Sequence, residues 1–366
     1  MSDLRQTPLH AAHVAAHAKL VPYAGFEMPV QYTSVVEEHR AVRERAGLFD
    51  VSHMGELVLR GPGALESLQR LVTNDLATAA DGQAQYAAVC NDQGGIVDDV
   101  VVYRRAADDL LVCVNAANRA KDAQWFQDRA SKTGTELRDA GDDYAQLALQ
   151  GPRAAAILAK LTAVPLDTIA TYHFRGGKVA GRDLLLARTG YTGEDGFELF
   201  CTPGDARALW DALLEAGQPF GLLPCGLASR DSLRTEMKYC LYGNDIDDGT
   251  SPLEAGLGWV VKLDKPGAFI GADVLRAQKA RGLSRKLTGF TLEDKGIARH
   301  GYPVLVDGTK VSEVTSGTLS PTLGLSIGMA YLPLSHAVEG ARFAVDIRGR
   351  AVPAVVVKTP FYQRQR

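Results

Sequence analysis

The chain has 366 residues, 46% of them hydrophobic and 23% charged, with a formal net charge of -3. That length exceeds one ordinary core and calls for two or three domains with a large buried interior. The composition is that of a soluble globular protein. The near-neutral balance argues against a nucleic-acid binder, which carries a basic stripe, and no apolar run approaches the length of a bilayer span.

The opening residues, MSDLRQTPLH, show no charged-then-apolar signal pattern. Just after them, His10, His13 and His17 fall at i, i+3 and i+7, on one face of a predicted helix. Three imidazoles on one face can in principle bind a metal. No carboxylate or cysteine accompanies them in the same turn, so the plainer reading is a solvated helical face. Ser34-Val35-Val36-Glu37 reads as a capping box opening a helix, with Val35, Val36, His39 and Val42 on its apolar side and Gly47 at its end. A short strand, GELVLRG, carries Leu57 and Leu59. Ala64, Leu65, Leu68, Leu71 and Val72 then recur at helical spacing. Strands are predicted over about 84–90, 96–103 and 109–115, with NDQGG and RAADD as turns. Asn118 is placed to cap a helix carrying Trp125 and Phe126. The order β-α-β-β-β-α over 52–141 predicts an α+β subdomain with an antiparallel sheet.

The strand YAQLAL follows, broken by Gly151-Pro152, then an apolar helix, hairpins over about 177–201, and helices over about 205–216 and 226–239. From Lys286 to Tyr362 short β runs alternate with Gly and Pro turns, the pattern of a small barrel or sandwich. The five cysteines (Cys90, Cys113, Cys201, Cys225 and Cys240) form no C-x-x-C pair and sit mostly in apolar strings, which reads as reduced core thiols in a cytoplasmic setting. Motifs for nucleoside-triphosphate binding, dinucleotide binding, zinc proteolysis and serine hydrolysis are all absent.

Three constellations can carry chemistry. In NDQGGIVDDVVVY, Asp98 and Asp99 interrupt an apolar strand. Alternation sends them to opposite faces, so one can face a site, though alternation does not say which. A carboxylate inside an apolar strand must be paired, hydrogen-bonded or functional. The plain alternative is an edge strand with two solvated acids. In RTGYTGEDGFELF, Glu198 points opposite to Phe197 and Leu199 and can accept two donors from one planar ligand edge. A surface glutamate after a hairpin turn is the plain alternative. In GLASRDSLRTEMKYCLYGNDI, Arg230 and Arg234 share a helix face, where a guanidinium can fork a carboxylate or phosphate. Surface pairing with Asp231 or Glu236 is the plain alternative there. Two carboxylates and an arginine on separate elements can surround a flat heterocycle with an anionic tail.

Many segments, in order and over nearly the whole chain, resemble the aminomethyltransferase family, the T-proteins of the glycine cleavage system. Among them are TPLHAAH, VPYAGFEMPVQY, RERAGLFDVSHMGE, NDQGGIVDDVVVY, VNAANRAKD, RTGYTGEDGFEL, GLASRDSLRTEMKYCLYGNDI and VTSGTLSPTLGLSIGMAYL. The resemblance implies an α+β, three-domain, cloverleaf-like arrangement. Its parts are a discontinuous folate-binding domain (1–51 and 142–262), an inserted ferredoxin-like subdomain (52–141) and a C-terminal β-barrel (263–366). It implies transfer of the methylene carbon from the aminomethyl-lipoyl arm of a partner H-protein to tetrahydrofolate, releasing ammonia and the dihydrolipoyl arm and forming 5,10-methylenetetrahydrofolate. The P- and L-proteins of the system would then be indirect partners. Carried over by position, Asp99 is the catalytic aspartate, Glu198 grips the pterin edge, and Arg230 stands near the glutamate tail. Tyr86, Tyr172, Asn115 and Met54 line the folate channel. No metal is implied. Phe26 replaces the family's usual Trp, and Thr235, Met237 and Lys238 depart from its usual pattern. Two relatives of the same fold are the alternatives: a free-standing folate-dependent demethylase, and a folate-binding iron–sulfur maintenance protein. The latter is marked by a K-G-C-Y-x-G-Q-E stretch, and RTGYTGEDGFEL lacks its lysine and cysteine.

Overall fold

The computed structural model describes residues 4–130 and 134–364. It divides into two units, one formed by Met1–Leu71, Asp75–Tyr86 and Val100–Asp231, the other by Val72–Asn74, Ala87–Asp99 and Ser232–Arg366. The mixed α+β class expected from the sequence is borne out, with a closed β-barrel near the C-terminus.

The first unit holds a six-stranded sheet in the order Phe174–Val179, Arg182–Ala187, Gly196–Cys201, Ala145–Gln150, Gly47–Asp50, Leu223–Pro224. Its two central strands, Gly196–Cys201 and Ala145–Gln150, are buried at every position, which is why AQLALQ and GFELFC read as near-continuous apolar runs. One face of the sheet, with Leu48, Leu147, Leu149, Phe197 and Leu199, packs in a cluster with Leu209, Trp210 and Leu213. Those last three line the buried side of the helix Pro203–Gly217, whose proline at the start supplies a φ suited to a first turn. The other face contributes Ala187 and Phe200 to a second cluster with Val58, Tyr103, Leu111 and Cys113. Those residues come from a five-stranded sheet in the order Gln83–Cys90, Ile96–Ala106, Asp109–Val114, Gly55–Arg60, Glu136–Asp139.

The helix Val35–Glu44 opens as predicted, with the Ser34 side chain accepting from the Glu37 amide at 3.2 Å. Gly47, however, does not end it. The helix stops at Glu44, and Gly47 begins a strand, where a Cβ would come within 2.5 Å of Val42 and 2.7 Å of the Cys225 sulfur. Val36 is exposed, and buried Glu38 takes its place on the inner side. Asn118 precedes the helix Arg119–Arg129 but makes no side-chain cap hydrogen bond.

The second unit contains the closed barrel, in the order Arg285–Leu292, Ser326–Pro333, Thr309–Leu319, Pro303–Val306, Arg342–Ile347, Arg350–Val356. Phe290 lies opposite Gly328 in the first strand pair. Its ring covers that glycine so closely that a Cβ there would sit 2.5 Å from it. The same ring meets Phe343 edge-on at 5.2 Å, at the centre of the barrel core. Ahead of the barrel, a buried guanidinium organises the chain. Arg234 donates to Asp245 at 2.6 Å, to Ser316 at 2.7 Å and to the Tyr239 carbonyl at 3.0 Å, and Asp245 also accepts from Thr315 and the Leu241 amide. A surface pairing of Arg234 with Asp231 or Glu236 is therefore corrected: Arg234 is a buried structural cation. All five cysteines are free thiols and buried, as read from the sequence.

Candidate active site

Glu198 lies in the first unit, on the face of the six-stranded sheet that carries Ala187 and Phe200. Register places it opposite Ala148 and Ala187, so its side chain leaves the Phe197/Leu199 face, as alternation predicted. It is 7% exposed, which removes the surface-glutamate alternative. Both oxygens are held. Oε1 accepts from Gln146 Nε2 at 3.1 Å, and Oε2 from the Thr189 hydroxyl at 2.5 Å and the Tyr103 hydroxyl at 3.5 Å. The Tyr103 contact is at the limit of hydrogen-bond reach. Burial, and next the charge of Glu198, push the Tyr103 hydroxyl well above its usual pKa, so it stays protonated and can only donate towards the carboxylate.

The loop between the second and third strands of this sheet supplies Thr189 and is fixed by Gln150, whose amide donates to the Thr189 carbonyl at 3.1 Å and accepts from Thr192 at 2.9 Å. Gly190 makes room for that side chain, since a Cβ there would lie 2.0 Å from Gln150 Oε1. Arg43 clamps the same loop through the Thr192 carbonyl and Glu194.

Arg230 sits in the helix Leu227–Glu236. The helix start is tied down by Glu38, which accepts from the Gly226 amide at 2.8 Å. The guanidinium stacks on Tyr191 with 4.8 Å to the ring centroid, and its Nη1 is buried without a hydrogen-bond partner. His53 lies close by. It is 3% exposed, its Nδ1 is also buried without a partner, and Tyr23 meets its ring edge-on at 5.5 Å. Burial, and the charge of Arg230, lower its pKa to about 4 against the opposing pull of Asp50, so the imidazole is neutral near pH 7. A guanidinium with an open buried nitrogen suits an anionic ligand group.

The other residues expected to line a channel, Met54, Tyr86, Asn115 and Tyr172, fall in the first unit too. Met54 packs against the cluster containing Tyr103 and Cys113. Asn115 follows the strand Asp109–Val114 and is half-buried, as is Tyr86 in the strand Gln83–Cys90. Tyr172 is 38% exposed at a φ of 59°.

Asp98 and Asp99 lie in the strand Ile96–Ala106. Asp98 is fully buried and Asp99 half-buried, so the picture of two solvated edge acids is overturned. Asp99 belongs to the second unit, where its charge reaches the buried Cys240 thiol. Burial first, then Asp245 and Asp99, push that thiol well up, leaving it inert as a nucleophile. Near Cys240, the Lys238 ammonium is lowered by burial.

The histidines near the start do not form a solvated face. The helix is only His10–Ala15, and His17 lies beyond it at a φ of 53°. His13 is fully buried, bonded to Asp50 at 2.8 Å and to the Tyr32 hydroxyl at 2.8 Å. Burial alone would raise the Asp50 pKa, but His13, Ser52 and Thr7 outweigh it and hold the carboxyl below its usual range.

Sequence reading missed Gln146, Thr189, Tyr103 and His53. Gln146 carried a usable signal, a polar residue inside an apolar strand, the same one that drew attention to Asp98 and Asp99.

Glu198 is a buried carboxylate held by three donors, and Arg230 carries a buried nitrogen without a hydrogen-bond partner; the two groups have the chemistry to take N–H donors and an anionic group respectively. The GCVT N-terminal domain model matches residues 9–265, and the glycine cleavage T-protein C-terminal barrel domain model matches residues 285–363. An aminomethyltransferase of Halothermothrix orenii is 51% identical, covering 98% of this chain and all of its own. One of Rubrobacter xylanophilus is 52% identical, covering 99% of this chain and 95% of its own. The crystal structure of glycine cleavage system aminomethyltransferase T from Bartonella henselae superposes with a TM-score of 0.93 at 34% identity, over 99% of each chain. The chain belongs to the glycine cleavage T-protein family, and its reading as an enzyme of the aminomethyltransferase class is borne out.

Proposed function

We propose that the chain transfers the methylene carbon of an aminomethyl group, carried on the lipoyl arm of an H-protein, to tetrahydrofolate. Ammonia and the dihydrolipoyl arm leave, and 5,10-methylenetetrahydrofolate forms. The observation that carries this reading, within the family, is Glu198: a buried carboxylate held by Gln146, Thr189 and Tyr103 with acceptor capacity remaining. Such a group suits the N–H-rich edge of a pterin. Arg230, with Nη1 buried and unpartnered, suits the glutamate tail. Met54, Tyr86, Asn115 and Tyr172 are assigned to the walls of the cofactor channel. Asp99 is assigned as the catalytic aspartate, whose negative charge stabilises positive charge developing at the transferred carbon.

The three-part division is also proposed. It is supported by a six-stranded sheet drawn only from segments on either side of 52–141 and a five-stranded sheet drawn only from within that range. The H-protein is the proposed direct partner, and the cytoplasm the proposed compartment. No helix among the described residues is long and apolar enough to cross a membrane.

The purified chain, given aminomethyl-loaded H-protein and tetrahydrofolate, should release ammonia and form methylenetetrahydrofolate. Inertness with that donor, together with demethylation of a small methylated amine, would replace this function with that of a demethylase.

A further inference from the structure

Glu198 can orient a ligand only if its own carboxylate is held in one rotamer and kept ionised. The donor that holds Oε1 is a primary amide, and an amide can turn either its NH2 or its carbonyl towards a neighbour. Turned the wrong way, Gln146 would set its carbonyl oxygen against a carboxylate oxygen about 3.1 Å away. Something must therefore fix the amide's direction.

The neighbour on the other side of Gln146 is Cys113. Its sulfur lies 3.7 Å from Gln146 Oε1, with the thiol donating. Cys113 belongs to the apolar cluster of Tyr103 and Phe200, 6% exposed, and Gln146 is 2% exposed, so no bulk water competes for either end of the amide. The Gln146 backbone is pinned as well: its N–H donates to the Ser52 hydroxyl at 3.1 Å, and its carbonyl accepts from the Val51 amide at 2.9 Å. Register places Gln146 opposite Phe200 and Ala148 opposite Glu198, so the amide reaches Glu198 along the diagonal of the antiparallel pair.

We infer that Cys113 and Gln146 are positioning residues for ligand binding: the Cys113 thiol fixes the Gln146 amide so that its NH2 faces Glu198, and this sets the carboxylate that receives the pterin edge. Thr189 and Tyr103 hold the second oxygen, so the remaining capacity for a ligand N–H lies chiefly on Oε1, the oxygen that Gln146 orients. The inference deepens the proposed function and rests on its reading of Glu198 as the pterin-binding group.

The test measures tetrahydrofolate affinity by fluorescence titration, with thermal melts to confirm folding, across Glu198→Gln, Gln146→Leu, Gln146→Glu, Cys113→Ala and Cys113→Ser. Gln146→Leu removes the donor and should weaken binding about tenfold or more, raising KM with kcat largely kept. Gln146→Glu sets two carboxylates side by side. Its affinity should fall at neutral pH and recover as the pH is lowered enough for one of them to take up a proton. Cys113→Ala should weaken binding, while Cys113→Ser, which keeps a donor, should restore it. If Glu198→Gln weakens binding but folded Gln146→Leu and Cys113→Ala both bind as the parent does, the positioning role is wrong. If Glu198→Gln itself leaves affinity unchanged, the reading of Glu198 is wrong and the inference falls with it.

Discussion

His53 makes the acid response of this protein predictable in sign and size. The imidazole is 3% exposed, and burial with the nearby Arg230 charge lowers its pKa from 6.5 to about 4. A histidine whose folded pKa is depressed binds fewer protons folded than unfolded, so stability falls as pH drops below the unfolded value and levels off near the folded one. Its share is nearly nil at about pH 7.5. At about pH 5 the unfolded imidazole is almost fully protonated and the folded one is not, which costs about 2 kcal/mol. Asp50 does not mask the effect: its depressed pKa removes stability only below its own unfolded value of 3.8, outside that window. The assay is urea unfolding of the parent and His53→Gln at steps from about pH 7.5 to 4.5. The parent should lose about 2 kcal/mol more than the variant by about pH 5. Parallel curves over that range would show that His53 is solvated or paired and that the environment deduced for it and Arg230 is wrong.

Three further outcomes follow from charged side chains. Arg230→Met should weaken tetrahydrofolate about 10- to 100-fold, the worth of hydrogen bonds to a charged group, while leaving a reduced pterin without a glutamate tail unaffected; isothermal titration with both ligands checks this. Asp50→Asn replaces the buried carboxylate that accepts from His13, Thr7 and the Ser52 amide, and should cost about 1–3 kcal/mol in urea unfolding near neutral pH. Arg234→Met strands Asp245, whose pairing partner it is at 2.6 Å in a site 2% and 0% exposed, and should lower stability by about 3–5 kcal/mol.

What was legible in the sequence was local. The strand period put Glu198 on the face opposite Phe197 and Leu199, and the capping box at Ser34 and Glu37 opened its helix as read. The period also separated Asp98 from Asp99 without ranking them, and the structure adds that Asp98 is the fully buried one. What was not legible depended on partners far along the chain. Gln146 and Tyr103 reach Glu198 from 52 and 95 residues away, and His13 finds Asp50 across 37. The histidine spacing misled because it presumed a helix through His17, whereas the helix stops at Ala15 and the next turn has a positive φ. Arg234 misled for a similar reason. Asp231 and Glu236 were the neighbours visible in the sequence, yet the bonds that bury Arg234 run to Asp245 and Ser316.

The proposed reaction moves a methylene carbon to tetrahydrofolate with Asp99 as the group that stabilises the reacting charge. Its most direct test is a single-turnover measurement of ammonia release from aminomethyl-loaded H-protein, with saturating tetrahydrofolate, comparing the parent with Asp99→Asn. Tetrahydrofolate affinity is measured on the same two samples. Loss of one transition-state charge contact should slow release by about 100-fold or more while affinity changes little. Full release by Asp99→Asn would contradict the assignment of Asp99, and no release by the parent would contradict the reaction itself.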